Sequence, residues 1–155
     1  MGEQDGPAVD SILSSDQCRS LRCLAAMLIP ASHEYCVPSA GDDLIFADIL
    51  RSIGRDVDRV RHLMEKLDTL SCGPFADRDP ADRGAVLVRL QVTAEKELMP
   101  LARIILQCYY RDDRVMRSLD MEVRPPFPQG FEVEQGDWSL LDPVRARAPF
   151  YRPAP

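Results

Sequence analysis

The residues of this chain that could do chemistry are few: two histidines, five cysteines and a scatter of carboxylates. His33, Glu34 and Cys36 stand together between Pro30 and Gly41. A cysteine acts as a nucleophile when a base is held beside it in space, and a histidine or carboxylate can be that base. The trio has the composition for this, but its place between two breakers reads first as a structural loop. His62 and Glu65 are three residues apart and could share one face of a helix, as paired metal ligands do. No second motif accompanies them to complete a metal site, so a surface or packing role is the simpler reading. The chain has no Gly-rich phosphate cradle, since Gly2/Gly6 and Gly130/Gly136 are isolated turn glycines. Ser14 and Ser15 read as helix caps rather than nucleophiles. The expectation is a chain with no catalytic residue, no cofactor-binding residue and no metal ligand of its own.

The cysteines support this. Cys18, Cys23 and Cys108 fall in apolar helical stretches, where a free thiol behaves as a small hydrophobe. Cys36 and Cys72 fall in expected loops and are the pair best placed for a disulfide in an oxidising compartment, although sequence does not fix connectivity.

The elements that position these residues are helices. Ser14 with Gln17 matches a capping box, and Cys18, Leu21, Leu24, Ala25 and Leu28 recur at helical spacing up to about Ile29, where Pro30 stops them. A second helix is expected from about Asp42, with Leu44, Ile45, Ile49 and Ile53 on its apolar side and Gly54 after it. From Arg55 to Leu70 the apolar stripe of Val57, Val60, Leu63, Met64, Leu67 and Leu70 is the strongest helical pattern in the chain. Ser71 to Arg78 reads as a turn. Asp79-Pro80 then opens a helix as N-cap and N1. Thr93 is a candidate cap for a further helix through Leu98, Leu101, Ile104, Ile105 and Cys108, with Pro100 kinking it or resetting its start. Tyr109 and Tyr110 close that helix, and a short one over 112–119 completes the set. The reading is an all-α chain: a small helical bundle of about five to six helices, with residues 1–13 a flexible leader, 14–120 the helical domain and 121–155 a long extended C-terminal arm.

That arm holds seven of the thirteen prolines and five of the ten aromatics. Proline removes backbone donors and fixes φ, so the arm is expected to be neither helix nor central strand. Disordered tails are poor in aromatic residues, so an extended segment carrying Phe127, Phe131, Trp138, Phe150 and Tyr151 needs a surface to lie on, its own helices or another protein's. These five are the candidate partner-binding anchors, because aromatic side chains dominate interface energetics.

Composition narrows the partner. The net charge of −6 argues against nucleic acid and against an anionic membrane surface, both of which need a basic face. No segment approaches the roughly 18 apolar residues of a membrane span. The acidic, polar N-terminus has no signal-peptide pattern, and no two arginines are adjacent, so no twin-arginine signal is expected. Of the cations, seventeen are arginine and two are lysine, a balance suited to planar contacts at interfaces.

The run Cys108-Tyr109-Tyr110-Arg111-Asp112-Asp113-Arg114-Val115-Met116-Arg117-Ser118-Leu119, followed by Pro125-Pro126-Phe127-Pro128-Gln129-Gly130, resembles the C-terminal part of the gluconate 2-dehydrogenase subunit 3 family. The Leu24-Ala25-Ala26-Met27-Leu28-Ile29-Pro30 run resembles that family's first helix, and Gly136-Asp137-Trp138-Ser139-Leu140-Leu141-Asp142-Pro143 resembles a subgroup. The resemblance spans roughly residues 15–131. It implies a small, non-catalytic subunit of a large flavin-dependent dehydrogenase of the glucose–methanol–choline type acting on sugars, sugar acids or polyols. FAD would sit in the partner, and a cytochrome or other carrier would take electrons through it. The small subunit would support folding, stability and export of the large one. Many members carry a twin-arginine signal, absent here, so the expectation is a chain cytoplasmic as synthesised or one exported to the periplasm with a signal-bearing partner. The competing readings are a free-standing helical scaffold or regulatory domain, and an enzyme using the His33/Cys36 loop or His62/Glu65.

Overall fold

A computed structural model describes residues 13–124, 130 and 134–148. The chain divides into two compact units, Met1–Val123 and Arg124–Pro155.

The first unit opens with α1, Ser15–Leu28. Its start is set by a reciprocal pair: the Gln17 backbone N–H donates to Ser14 Oγ at 3.2 Å, and the Ser14 N–H donates to Gln17 Oε1 at 3.0 Å. Two of the donors that a helix start leaves unpaired are thereby satisfied. Ser14→Ala is expected to cost about 1 kcal/mol, read as a lower urea midpoint at unchanged slope. An unchanged midpoint would show that the cap adds nothing. Helix α1 buries Ser20, Leu21, Leu24 and Ala25, and ends at Ile29, whose extended backbone suits the residue before a proline.

Residues Ser32 and Val37 exchange both backbone hydrogen bonds at 3.0 Å, closing the loop on itself. This isolated bridge is the only β-pairing among the described residues. Gly41 then lies so close to α1 that a Cβ there would stand 3.0 Å from Ala26 Cβ and 3.2 Å from the Arg22 carbonyl. Its smallness serves packing here, as well as the turn.

Helix α2, Asp43–Ile53, is capped by Asp42, which accepts from the Leu44 N–H at 3.1 Å. It buries Ile45, Phe46, Ile49, Leu50 and Ile53. Leu44 is 68% exposed, which corrects its placement on the apolar side. The buried arc is centred on the 45/49/53 and 46/50 rows, and at 3.6 residues per turn position 44 falls on the opposite face of the helix. Gly54, at φ +43°, begins a 3₁₀ turn, Gly54–Asp56, that leads into α3, Val57–Ser71.

Helix α3 buries Val60, Leu63, Met64 and Leu67, the stripe expected from the sequence. Cys72 ends it at φ 54°, ψ 41°, the left-handed position that glycine usually takes, and the Gly73 N–H returns to the Asp68 carbonyl at 2.9 Å. A second 3₁₀ turn, Phe75–Asp77, carries the fully buried Phe75.

Helix α4 runs Pro80–Tyr110, with Asp79 accepting from the Ala81 N–H at 2.9 Å and Pro80 in the first turn. One kinked helix stands where two were expected. The interruption is at Ala94 (φ −141°, ψ 30°), and Pro100 lies inside the segment that follows. Thr93 does not cap: its Oγ1 donates back to the Arg89 carbonyl at 2.8 Å, a bond made inside a helix and one that bends it. Helix α5, Asp113–Ser118, is capped by Asp112 through the Arg114 N–H at 2.9 Å.

The core is a single cluster in which α3 and α4 pack most extensively, α2 lies against α4, and α1 covers α3 and the Phe75 turn. The fold is an all-α helical bundle.

In the second unit a 3₁₀ turn, Trp138–Leu141, runs into the one-turn helix α6, Asp142–Arg145. This corrects the expectation of an arm without helix. Asp137 accepts from the Ser139 N–H at 3.0 Å, and Pro143 sits in the first turn of α6, where its missing N–H leaves nothing unpaired.

Candidate functional site

The residues with catalytic potential do not assemble. In the 33–36 loop the Cys36 thiol points at the His33 carbonyl at 3.6 Å, not at its imidazole, and Cys36 itself is held at φ 52°. His62 Nδ1 and Glu65 Oε2 are 3.7 Å apart on an exposed face of α3, a solvated pair. Among the described residues no group of three or more His, Cys, Asp or Glu could hold a metal ion.

All five cysteines are free thiols, so Cys36 and Cys72 form no disulfide in this structure. Both are exposed and both cap turns in left-handed backbone. Burial pushes the Cys23 and Cys108 thiols above their ordinary range and keeps them protonated, the opposite of nucleophile activation.

The strongest polar cluster is structural. Arg114 reaches Asp42 with Nη2 at 2.6 Å and Nη1 at 3.2 Å, and holds Asp112 with Nε and Nη2, each at 3.0 Å. The hydrogen bonds from Arg114 hold both carboxyls below their ordinary range. One arginine thereby joins the caps of α2 and α5. Arg111 Nε meets Asp48 at 2.5 Å while its Nη2 meets Ser52 Oγ at 2.6 Å, fixing the end of α4 against α2. Burial pushes the Asp48 carboxyl up, but the hydrogen bond and charge of Arg111 outweigh it and leave it lowered.

Two surfaces remain for binding. The first is the arm. Trp138 is 59% exposed, its indole N–H directed to Gln135 Oε1 at 3.3 Å, and Leu140 beside it is 73% exposed. Phe127, Phe131, Phe150 and Tyr151, the other anchor candidates, lie outside the described residues.

The second surface was not anticipated from the sequence. An open groove of about 1180 Å³ runs between residues 52–59 and the second segment of α4. Arg55, Arg59, Lys96 and Arg103 line it together with Met99 and Leu106. The available signal was the 99/103/106/110 spacing, a second stripe on a helix whose core-facing stripe is Leu101, Ile105 and Cys108. Tyr110 continues that exposed stripe, while its neighbour Tyr109 is buried and meets it edge to face at 5.3 Å.

Among the described residues no helix is long and apolar enough to cross a membrane. Comparison with known proteins finds no matching family model, no matching curated protein and no matching solved structure.

Proposed function

We propose that this chain is a non-catalytic small subunit that binds and stabilises a large FAD-dependent sugar, polyol or glucoside dehydrogenase, assisting its folding or export. The observation that carries the reading is the arm, where Trp138 and Leu140 are presented outward on a short capped turn. Large apolar side chains on an ordered turn are costly in water and favourable in an interface. The resemblance over roughly residues 15–131 supplies the class of partner. In this reading the flavin and the substrate pocket belong to the large subunit, electrons leave through it to a cytochrome or another carrier, and the compartment is the partner's.

Co-expression of the full chain with a flavin-dependent dehydrogenase encoded beside it is the test. A stable complex with flavin absorbance is expected. Deleting residues 132–155 is expected to preserve the helical circular-dichroism signal and to reduce captured flavoprotein. Trp138→Ala alone is expected to weaken the complex roughly tenfold or more, since interface tryptophans often contribute about 2 kcal/mol. A full chain that stays monomeric beside the flavoprotein overturns the proposal and leaves a free-standing helical scaffold. A deletion with undiminished capture removes the arm from the interface.

A further inference from the structure

We propose that the groove between residues 52–59 and the second segment of α4 is a docking site for an acidic amphipathic helix of the partner protein. The inference rests on the reading of this chain as a binding subunit. Its evidence is separate from the arm and lies in charge and shape.

The groove inverts the character of the chain. The protein carries a net charge of −6, yet the groove is lined by Arg55, Arg59, Lys96 and Arg103 against the single carboxylate of Asp56. Arg59 is paired with Asp56 at 3.2 Å. Several arginines elsewhere on the bundle sit in ion pairs: Arg19 with Asp16 and Asp77, Arg111 with Asp48, Arg114 with Asp42 and Asp112. Among the described residues no ion pair joins Arg55, Lys96 or Arg103 to a carboxylate, although acidic residues outnumber basic ones 25 to 19. Three uncompensated cations along one groove in an acidic protein call for carboxylates from outside.

Shape selects the occupant. Met99 is 60% exposed and Leu106 is 45% exposed, and both line the groove beside the cations. Lys96 and Arg103 are two turns apart on one helix, roughly 10 Å at about 1.5 Å per residue. Acidic residues seven apart on a facing helix match that spacing. Apolar residues between them would cover Met99 and Leu106, methionine being suited to adaptable packing. A nucleic acid would use the cations but leave these apolar side chains uncovered, and the net charge opposes it.

The test uses the full-length chain and a fluorescein-labelled synthetic four-turn peptide, with glutamates seven apart and leucines on the same face between them, followed by anisotropy. Saturable binding weakened by salt is expected. Arg55→Glu/Arg103→Glu is expected to weaken it at least roughly tenfold, and Met99→Ser/Leu106→Ser by a similar factor, each with an unchanged circular-dichroism spectrum. The same peptide with lysine for each glutamate is expected not to bind. No binding of the acidic peptide overturns the proposal. Equal binding of a leucine-to-serine peptide or of a single-stranded oligonucleotide, insensitive to Met99 and Leu106, overturns it in favour of a bare polyanion surface. Peptide binding without flavoprotein capture keeps the groove and removes the dehydrogenase-subunit reading. Flavoprotein capture without peptide binding does the reverse.

Discussion

Phe75→Ala is expected to destabilise the helical bundle by about 3–5 kcal/mol, the usual cost of emptying a fully buried aromatic site. Phe75 is 0% exposed and rides on a single 3₁₀ turn between α3 and α4, under α1. The turn is itself held from both sides. Its first N–H donates to Asp68 Oδ1 at 2.9 Å, and the buried Ser20 hydroxyl of α1 reaches the same carboxylate at 3.3 Å. The ring therefore has no freedom to be replaced by collapse of its neighbours, and the cavity term should be near its full size. Domains of this size have roughly 5–15 kcal/mol in total, so the loss is a large fraction, seen as a melting temperature lower by more than about 10 °C. Phe75→Leu should lose much less, under about 2 kcal/mol, because most of the volume is retained. A Phe75→Ala melting curve that overlays the wild type would show that the ring is not the wedge between α1 and α3.

Arg114→Ala is expected to have the second largest effect, and its size should depend on pH. Removing the guanidinium separates the caps of α2 and α5, which it joins through Asp42 and Asp112. The side chain is partly exposed, so screening reduces the gain, and about 1–2 kcal/mol near neutral pH is the expected loss. Both carboxyls have folded-state pKa values below the ordinary one because Arg114 hydrogen-bonds their charged forms. The stabilisation is therefore present above the unfolded carboxyl value of about 3.9 and is lost as pH falls through the lower folded values. Urea midpoints of wild type and variant should differ near neutrality and converge below about pH 3. A gap that stays constant across this range would assign the effect to lost packing of the Arg114 stem instead.

These two sites show where the sequence is legible and where it is not. Phe75 sits in a segment whose Cys-Gly-Pro run announces a turn, and nothing local says that the turn is swallowed by the core. The caps at Ser14 and Asp79 are readable because each bonds an N–H two or three residues away. The stripe of α3 is readable because one face of a regular helix repeats its own pattern. Leu44 is exposed although apolar, because helical spacing sets it opposite the 45/49/53 row, and residue type alone does not mark a buried face. Thr93 and Pro100 mark the neighbourhood of the kink in the sequence, but the interruption falls at Ala94, because the back-bond of Thr93 keeps that residue within the first segment.

The sequence by itself determined the class of the fold and the positions of most helices. Both rest on contacts within one or two helical turns. Only the tertiary structure decided which cations are neutralised and which are left facing a groove. Arg114 finds Asp42 across 72 positions of chain, and Arg111 finds Asp48 across 63. Arg55, Lys96 and Arg103 are cations too, and Arg55 and Lys96 stand next to acidic residues in sequence, yet packing of α4 beside the 54–56 turn sets them along an open groove whose one carboxylate, Asp56, pairs with Arg59. Ion pairing depends on distance in space and falls steeply with separation and screening, so no property of the linear chain could have sorted one group from the other. The aromatic content of the arm is legible in composition, and the basic, methionine-lined groove became visible only once the helices were packed.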